Sequence, residues 1–225
     1  MEAYFSAIDP GKPVNLTREL LVVEHYMKKG DRNRLIGHAN KIKPKSATIA
    51  SKGSDGKIAG DVKSRGFVAD RIEVCAHPYF RKKFLAVCND IYKNQLNPYY
   101  NVEVEWYEYP HVLRYHPGGT YGLHADSENL NRETNQWYKY INRDYSSILY
   151  LNSDFTGGTL VFPYLNLRVI PQAGMLVAFP SDHRFLHSAE PVQAGIRYAM
   201  VTWAAEKNGV RVKDASGPPV VEMSY

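Results

Sequence analysis

Three residues in the second half of the chain have the types and spacing to bind a metal ion: His124, Asp126 and His187. His124 and Asp126 are two positions apart, so on a β-strand both side chains would point to the same face. His187 lies much later in the sequence, and only a folded β-barrel could bring it beside the other two. Two imidazoles and one carboxylate on one side of a metal leave coordination positions open, which is typical of non-haem Fe(II) oxygenases.

Arg197 adds a second chemical feature to this part of the chain. It begins the run Arg197-Tyr-Ala-Met-Val-Thr-Trp203, whose β-branched and aromatic residues predict a buried strand. A buried Arg needs an anionic partner, because an unpaired buried charge is costly. Its planar fork suits a carboxylate held by two parallel hydrogen bonds. With the metal triad, Arg197 predicts a bound dicarboxylate that spans metal and guanidinium; a salt bridge to a protein carboxylate is the alternative.

The segment Arg143-Asp-Tyr-Ser-Ser-Ile-Leu-Tyr-Leu-Asn-Ser-Asp-Phe-Thr-Gly-Gly158 resembles the catalytic domains of prolyl 3-hydroxylases, the leprecans. More broadly, the region from Tyr115 to Trp203 is similar to the prolyl-hydroxylase group of Fe(II)/2-oxoglutarate dioxygenases. The resemblance is close in that region and loose upstream of it. Leprecans carry Arg where many collagen prolyl 4-hydroxylases carry Lys, and this chain has Arg197.

The resemblance implies a set of roles for these residues. The triad would bind Fe(II), with 2-oxoglutarate as co-substrate, O2 as oxidant and ascorbate as a further candidate cofactor. Arg197 would pair with the far carboxylate of 2-oxoglutarate, Tyr150 would form a hydrogen bond with the same carboxylate, and Tyr115 would line the co-substrate pocket. For both tyrosines, packing in the core is the alternative. The implied activity is hydroxylation of a C–H bond in a prolyl residue of a peptide or protein, with release of succinate and CO2.

Other functions stay open at this stage. The substrate could instead be a free amino acid or another small metabolite, because a family resemblance identifies a cofactor site better than a substrate pocket. A jelly-roll binding module without turnover is a second alternative. A cupin-type metalloenzyme is a third, although cupins usually show His-x-His and a Glu ligand, a pattern absent from Leu123–Asp126. The carbon that is hydroxylated and the oligomeric state are not indicated by the sequence.

Composition points to a globular protein of one domain spanning residues 1–225. No apolar run is long enough for a membrane span, and the first residues lack the pattern of a signal peptide. Cys75 and Cys88 give no disulfide framework, so a cytoplasmic location is expected, unlike that of the secretory leprecans. Residues 1–100 carry a net charge of +8 and residues 101–225 one of −3. The lysines are scattered, which favours a solvated basic face over nucleic-acid binding.

The predicted fold is mainly β with flanking helices: a double-stranded β-helix, or jelly roll, with helices packed on one sheet. Residues 1–100 are expected to be rich in helices and loops, 101–205 to form the jelly-roll core and 206–225 to be a tail. Within the first part we expect an irregular arm over 1–16, a helix over 32–41, a mobile loop over 42–66, a helix that begins near Pro78 and a turn at 97–100. Residues 19–24 fit a strand or a helix by pattern, and the resemblance favours a strand. The resemblance also implies that the loop over 42–66 closes over the substrate as a lid, with simple surface disorder as the alternative. Residues 127–142 are a polar insertion near the site mouth, and later strands are expected near 147–152, 159–163, 167–170, 175–179, 185–190 and 196–204.

Overall fold

A computed structural model of the chain describes residues 5–7, 20–47, 49–52, 58–62, 66–213 and 218–225. The strands, in chain order, are β1 (Phe5–Ala7), β2 (Leu21–Val23), β3 (Lys45–Ser46), β4 (Ile49–Lys52), β5 (Ile58–Val62), β6 (Phe67–Val68), β7 (Asp70–Ile72), β8 (Val104–Glu108), β9 (His111–Tyr115), β10 (Thr120–His124), β11 (Glu128–Asn131), β12 (Gln136–Lys139), β13 (Tyr145–Tyr150), β14 (Phe155–Gly157), β15 (Leu160–Phe162), β16 (Leu167–Val169), β17 (Leu176–Pro180), β18 (His187–Ala189), β19 (Val192–Gly195), β20 (Arg197–Glu206) and β21 (Val220–Glu222). The helices are α1 (Lys29–Ala39), α2 (Pro78–Asp90) and α3 (Asn97–Tyr100), with a π-helix (Ile91–Leu96) between α2 and α3 and 3-10 turns at Pro163–Leu165 and His183–Phe185.

Two antiparallel sheets form the body of the protein. The larger one has the order β2-β17-β13-β20-β9-β7-β3, and β8 and β21 extend it from β20. The smaller one has the order β1-β16-β15-β18-β10-β6. Apolar side chains from both sheets, among them Leu113, Ile148, Phe162 and Val201, form one buried cluster. The structure therefore confirms the predicted fold class.

The helices cover the outer face of the larger sheet. Along β20, Tyr198 and Met200 belong to the cluster that contains Phe84 and Cys88 of α2, whereas Ala199 belongs to the cluster between the sheets. This alternation is expected of a strand that is buried on both faces. The prediction of helices packed on one sheet is confirmed.

The second helix begins at Pro78, as predicted, where the missing N–H of proline costs little. It runs into the π-helix, and the predicted turn over 97–100 is wrong because these residues form α3. Pro98 lies in the first turn of α3, so it does not break the helix. The chain leaves the helix at Asn101, whose φ of 55° is left-handed.

The predicted loop over 42–66 is wrong where the structure describes it. β3 pairs with β7, and β4 pairs with β5 in a hairpin. Backbone pairing in these short strands does not need the large apolar side chains whose absence suggested a loop. Residues 48, 53–57 and 63–65 lie outside the described residues, and a role of this segment as a lid stays a prediction. In the predicted irregular arm, β1 pairs with β16, and the rest of residues 1–16 lies outside the description.

The remaining elements follow the predicted pattern with shifted ends. The strand predicted over 19–24 is β2, and the helix predicted over 32–41 is α1, which starts earlier, at Lys29. The insertion after Asp126 contains the hairpin of β11 and β12. In the tail, β21 pairs with β8. None of the described helices has both the length and the apolar character needed to cross a membrane.

Candidate metal and co-substrate site

The three predicted metal ligands lie together at the end of the smaller sheet. β10 and β18 are neighbours, and His124 is directly opposite His187. Nε2 of His124 is 3.4 Å from Oδ1 of Asp126, and Nε2 of His187 is 3.6 Å from Oδ2 of the same carboxylate. One ligand atom from each of the three residues can lie within 4.8 Å of the others, a separation that allows one metal ion between them.

The geometry of this cluster differs from a simple strand alternation. β10 ends at His124, and its pairing with β18 is irregular between Tyr121 and His124. Asp126 lies beyond the strand, where its N–H donates to the carbonyl of Ser181 at 3.2 Å. A hydrogen bond outside the sheet therefore helps to position Asp126, in place of the strand periodicity that the sequence suggested.

Both histidines present Nε2 to the cluster because Nδ1 is already engaged. Nδ1 of His124 lies 2.8 Å from the carbonyl of Gly122, and Nδ1 of His187 lies 3.0 Å from the carbonyl of Phe185. A carbonyl only accepts, so each Nδ1 carries the proton and each Nε2 offers a lone pair. Backbone partners of this kind fix the tautomer and the ring orientation of metal-binding histidines.

The protonation states of the cluster also suit a divalent cation. Burial would raise the pKa of Asp126, but the neighbouring His187 and His124 hold that pKa well below its usual range. Burial and the nearby His124 lower the pKa of His187 to about 4. At neutral pH, Asp126 is thus a carboxylate and His187 a neutral imidazole, the forms in which these residues bind metals.

Two serines that the sequence analysis missed support Asp126 from behind. The Ser146 hydroxyl donates to Oδ2 of Asp126 at 2.6 Å, and the hydroxyls of Ser146 and Ser181 are 2.7 Å apart. Ser146 lies within the segment that resembles leprecans, but its contact with Asp126 joins residues far apart in sequence. No local pattern marks Ser181.

A buried ion pair lies next to the cluster and was also missed. Arg143 donates from Nε and Nη2 to the two carboxylate oxygens of Glu108 at 2.5 and 2.7 Å. Its Nη1 donates to the main-chain oxygen of Asp126 at 3.3 Å, and its guanidinium carbon lies 3.8 Å from the centre of the Trp203 ring. Arg143 therefore links the metal cluster to a wall of the cavity.

Arg197 is buried, with 2% of its surface exposed, and its charge has no carboxylate partner among the described residues. Nη2 donates to the Tyr150 hydroxyl at 3.5 Å, whereas Nε and Nη1 have no hydrogen-bond partner in that part of the chain. The guanidinium carbon lies 4.5 Å from the ring centre of Tyr115 and 5.1 Å from that of Tyr150. Burial works against the charge, but Tyr150 and Tyr115 raise the pKa of Arg197, so it stays cationic.

A cavity connects the two features. The metal cluster lines it together with Arg197 and Tyr115, and apolar side chains form much of the remaining wall: Leu113, Ile148, Leu160, Ala189, Ala199 and Val201. Tyr150 is fully buried behind Arg197. Donors with free hydrogen-bonding capacity in an apolar wall are typical of a ligand site.

The other histidines of residues 101–225 lie outside the cluster. His111 packs against Trp203 with ring centres 5.2 Å apart and the ring planes tilted by 41°, and Nε2 of His116 lies 3.3 Å from Asp70. Nδ1 of His183 lies 2.6 Å from Glu128. Asn152 holds the backbone of β20, donating to the carbonyl of Ile196 at 2.7 Å, which is a structural role.

Comparison with known proteins agrees with this site. Residues 110–205 match the model of the 2OG-Fe(II) oxygenase superfamily. The matched residues make up somewhat less than half of the chain. They contain all of the ligand cluster, Arg197 and both tyrosines.

The curated proteins that this chain resembles include prolyl 3-hydroxylases. Prolyl 3-hydroxylase 2 of Gallus gallus is 34% identical over 90 residues, which cover 36% of this chain and 13% of that protein. Prolyl 3-hydroxylase 3 of Homo sapiens is 40% identical over 90 residues, which cover 36% of this chain and 12% of that protein. The chain thus matches only about an eighth of the length of these relatives.

Solved structures of the same fold cover more of the chain. The viral collagen prolyl hydroxylase of Paramecium Bursaria Chlorella virus-1, in its 2OG complex, matches with a TM-score of 0.61 and 17% identity, over 86% of this chain and 99% of that one. A Pseudomonas putida prolyl-4-hydroxylase matches with a TM-score of 0.58 and 19% identity, over 85% of this chain and 95% of that one. A Trichoplax adhaerens prolyl hydroxylase in complex with a hypoxia-inducible-factor peptide fragment matches with a TM-score of 0.55 and 17% identity, over 85% of each chain.

Proposed function

We propose that this protein is an Fe(II)- and 2-oxoglutarate-dependent dioxygenase that hydroxylates a prolyl residue of a peptide or protein. One observation carries the proposal: a buried Arg197 with free donors shares a cavity with a complete His-Asp-His cluster. A metal-binding module alone would not need that cation. A dicarboxylate explains it, because one end can bind the metal while the other binds the guanidinium.

The residues present fit both groups. His124, Asp126 and His187 would hold Fe(II), leaving positions open for the keto acid and O2. Nε and Nη1 of Arg197 have no partner among the described residues, and the carboxylate of a bound co-substrate would accept a hydrogen bond from one of them. The Tyr150 hydroxyl, which accepts from Arg197, would have its own hydrogen to donate to the same carboxylate. Tyr115 would orient the guanidinium through its ring.

When bound, Fe(II) supplies the O2 chemistry that converts 2-oxoglutarate to succinate and CO2 and places one oxygen atom in a C–H bond. The chain's own residues position the reactants. Ser146 donates to the Asp126 carboxylate and Arg143 donates to the main-chain oxygen of the same residue, so together they would keep this ligand in place as other ligands exchange. Leu113, Ile148 and Val201 limit water beside the metal, which favours the intended C–H bond over side reactions.

A prolyl substrate and a cellular location extend this proposal. The relatives named above support a prolyl residue. The described cysteines, Cys75 and Cys88, are buried free thiols, which supports a reducing compartment such as the cytoplasm for this chain.

An anaerobic titration of the Fe(II)-loaded protein with 2-oxoglutarate tests the co-substrate site. We expect a weak visible charge-transfer band, typical of a chelated keto acid, whose intensity saturates as 2-oxoglutarate is added. In Arg197→Ala, saturation should need a higher concentration of 2-oxoglutarate. Succinate release is then measured with proline-containing peptides, with free L-proline and with a panel of small metabolites. Iron binding without the band would favour a cupin-like enzyme, and absence of iron binding would favour a binding module. Succinate release with the metabolites but none of the peptides would overturn the peptide substrate.

A further inference from the structure

Arg71, whose Nε has no hydrogen-bond partner among the described residues, lies on the strand next to β9 at the edge of the cavity wall and is called the rim arginine. It is the middle residue of β7, where it is directly opposite Leu113 of β9. Opposite residues on antiparallel strands point to the same face of the sheet. Since Leu113 lines the cavity, Arg71 projects on the cavity side.

The neighbouring positions of β7 confirm this direction. Asp70 is opposite Arg114, and these two form an ion pair of 2.6 Å. Ile72 is opposite Val112, and both belong to the core under the helices, on the outer side of the larger sheet. Because side chains alternate along a strand, Arg71 must face the other way.

The Arg71 guanidinium lacks a close carboxylate among the described residues. Its nearest recorded one is Oε1 of Glu73, 4.0 Å from Nε, and Nε is a buried atom without a hydrogen-bond partner in that part of the chain. Glu73 is already bound by Lys45, whose Nζ lies 2.7 Å from Oε2. The row Lys45, Arg71 and Glu73 therefore holds two cations and one anion.

Arg71 is close enough to the site to have an electrostatic effect on its residues. Burial is the first cause of the low pKa of His111, and the charge of Arg71 is the next. Arg71 also acts on Tyr121, a cavity-lining residue, by opposing the rise in pKa that burial causes. One third of the Arg71 side chain is exposed, at 33%, so a substrate entering the cavity can reach it.

The other arginines of the site differ from Arg71 in one respect. Arg143 has both carboxylate oxygens of Glu108, and Arg114 has Asp70. Arg197 faces the interior of the cavity, where the proposed co-substrate binds. Arg71 is thus the rim arginine with free hydrogen-bonding capacity among the described residues.

We propose that Arg71 determines substrate specificity by binding a carboxylate of the substrate next to the residue that is hydroxylated. This inference rests on the proposed function and names its substrate class: a proline substrate with a nearby acidic group. The carboxylate belongs to a Glu or Asp side chain of a peptide or to the α-carboxylate of a free amino acid. The planar fork of Arg71 suits either one.

Two sets of probes distinguish these sources. The first is a series of acetylated, amidated, alanine-rich nonapeptides with a central proline, in which one flanking position at a time carries Glu or Gln. The second is free L-proline against its amide. Both are measured with the Fe(II)- and 2-oxoglutarate-supplied enzyme for succinate release, and the peptides also for binding by fluorescence anisotropy of labelled copies.

We expect a preference for Glu over Gln of about tenfold in kcat/KM and in Kd at one or two adjacent positions, as for a partly exposed charged hydrogen bond. A preference for L-proline over its amide, with none among the peptides, would assign the carboxylate to a free amino acid. In Arg71→Gln the preference for Glu should disappear. The kcat/KM for the Gln peptide and the KM for 2-oxoglutarate should be unchanged. Arg71→Lys should keep part of the preference, and Arg71→Glu should reverse it toward the Gln peptides.

Arg34→Gln is the matched control, because Arg34 is an exposed arginine of α1 outside this row of side chains. The role of Arg71 would be overturned if kcat/KM and Kd were equal within every Glu and Gln pair and for L-proline and its amide. An unchanged preference in Arg71→Gln would overturn it as well. If Glu-selective binding depends on Arg71 but no probe yields succinate, the role of Arg71 stands and the proposed hydroxylation fails. If succinate is released without any effect of the carboxylate, the proposed function stands and this inference fails.

Discussion

The Ser146 hydroxyl donates to Oδ2 of Asp126 at 2.6 Å, behind the carboxylate that faces both histidines. This bond fixes the rotation of the carboxylate before any metal arrives. Ser181 completes the arrangement at 2.7 Å from Ser146. Outer partners of this kind usually affect metal affinity because they determine how the ligand is presented.

Ser146→Ala should weaken Fe(II) binding by about 10- to 100-fold, since Asp126 loses the partner that orients it. The measurement is anaerobic competition with a chelator of known affinity. Ser147→Ala is the control, because Ser147 is next on β13 and points to the opposite face, where its hydroxyl has no partner among the described residues. Equal affinities of the two variants would show that the serine does not tune the metal site.

Gly158 has a structural reason to be glycine that bears on co-substrate binding. Its φ is +65°, and a Cβ added there would lie 2.9 Å from Cδ of Arg197. Gly158→Ala should therefore displace the Arg197 side chain and raise the KM for 2-oxoglutarate by about tenfold, the loss expected for a disturbed charged hydrogen bond. Steady-state kinetics at saturating substrate would measure this change.

The control for Gly158→Ala must carry the same backbone strain without the contact. Gly118 has a φ of +84°, and a Cβ there would meet nothing within 4 Å. Gly118→Ala should lose stability, by roughly 1 kcal/mol for a left-handed non-glycine residue, yet keep its KM for 2-oxoglutarate. A similar KM change in both variants would point to general strain and not to Arg197.

The sequence predicted the parts of this protein that depend on local patterns or on the segment that resembles a known family. The run after Arg197 predicted a buried strand, and β20 is that strand. The pairing of His187 with His124 followed from the expected barrel. The sequence did not predict the contact of Ser146 with Ser181, because it joins β13 to the residue that follows β17 and neither serine belongs to a periodic pattern.

The missed elements have a similar physical origin. Composition around Lys45 indicated a loop, yet β3 forms because β7 offers a paired backbone. Tertiary pairing overrides propensity in such short strands. The sequence around Glu108 is that of an ordinary strand, and only the fold brings Arg143 beside it.

The Arg143–Glu108 pair should matter more for stability than a surface pair would. Both side chains are nearly buried, at 11% and 4% exposure, and two hydrogen bonds join them. Glu108→Gln removes the compensating charge and leaves Arg143 buried, so a loss of about 3–5 kcal/mol in the free energy of unfolding is expected. Urea denaturation would measure it.

The comparison variant is the double change Glu108→Gln with Arg143→Met. It removes the stranded charge and keeps an unbranched side chain against Trp203, so part of the lost stability should return. Lys207→Met is a surface control, because its pair with Glu103 is half-exposed and should contribute little. If the double variant is less stable than Glu108→Gln by the full cost of a second change, no stability has been regained. That result would contradict an unpaired buried charge as the cause of the lost stability.

His111 should make the metal-free protein sensitive to mild acid. Burial holds its pKa well below the usual value, the charges of Arg71 and Arg143 lower it further, and Asp126 opposes them. Below about pH 6.5 the unfolded chain therefore binds a proton at this position that the folded chain does not. Stability is complete above that pH and falls as the pH decreases, by at most about 1.4 kcal/mol per pH unit for this group.

His111→Phe isolates that contribution because it keeps an aromatic ring against Trp203 and removes the titrating group. In chelator-treated protein, the free energy of unfolding from urea melts at pH 7.5 and 5.5 should fall less in His111→Phe than in the natural sequence. His116→Phe is the matched control, since His116 is 54% exposed and near Asp70. An equal fall in the natural protein and in His111→Phe would mean that His111 is not neutral in the folded protein, and the cause of acid sensitivity would lie with other groups.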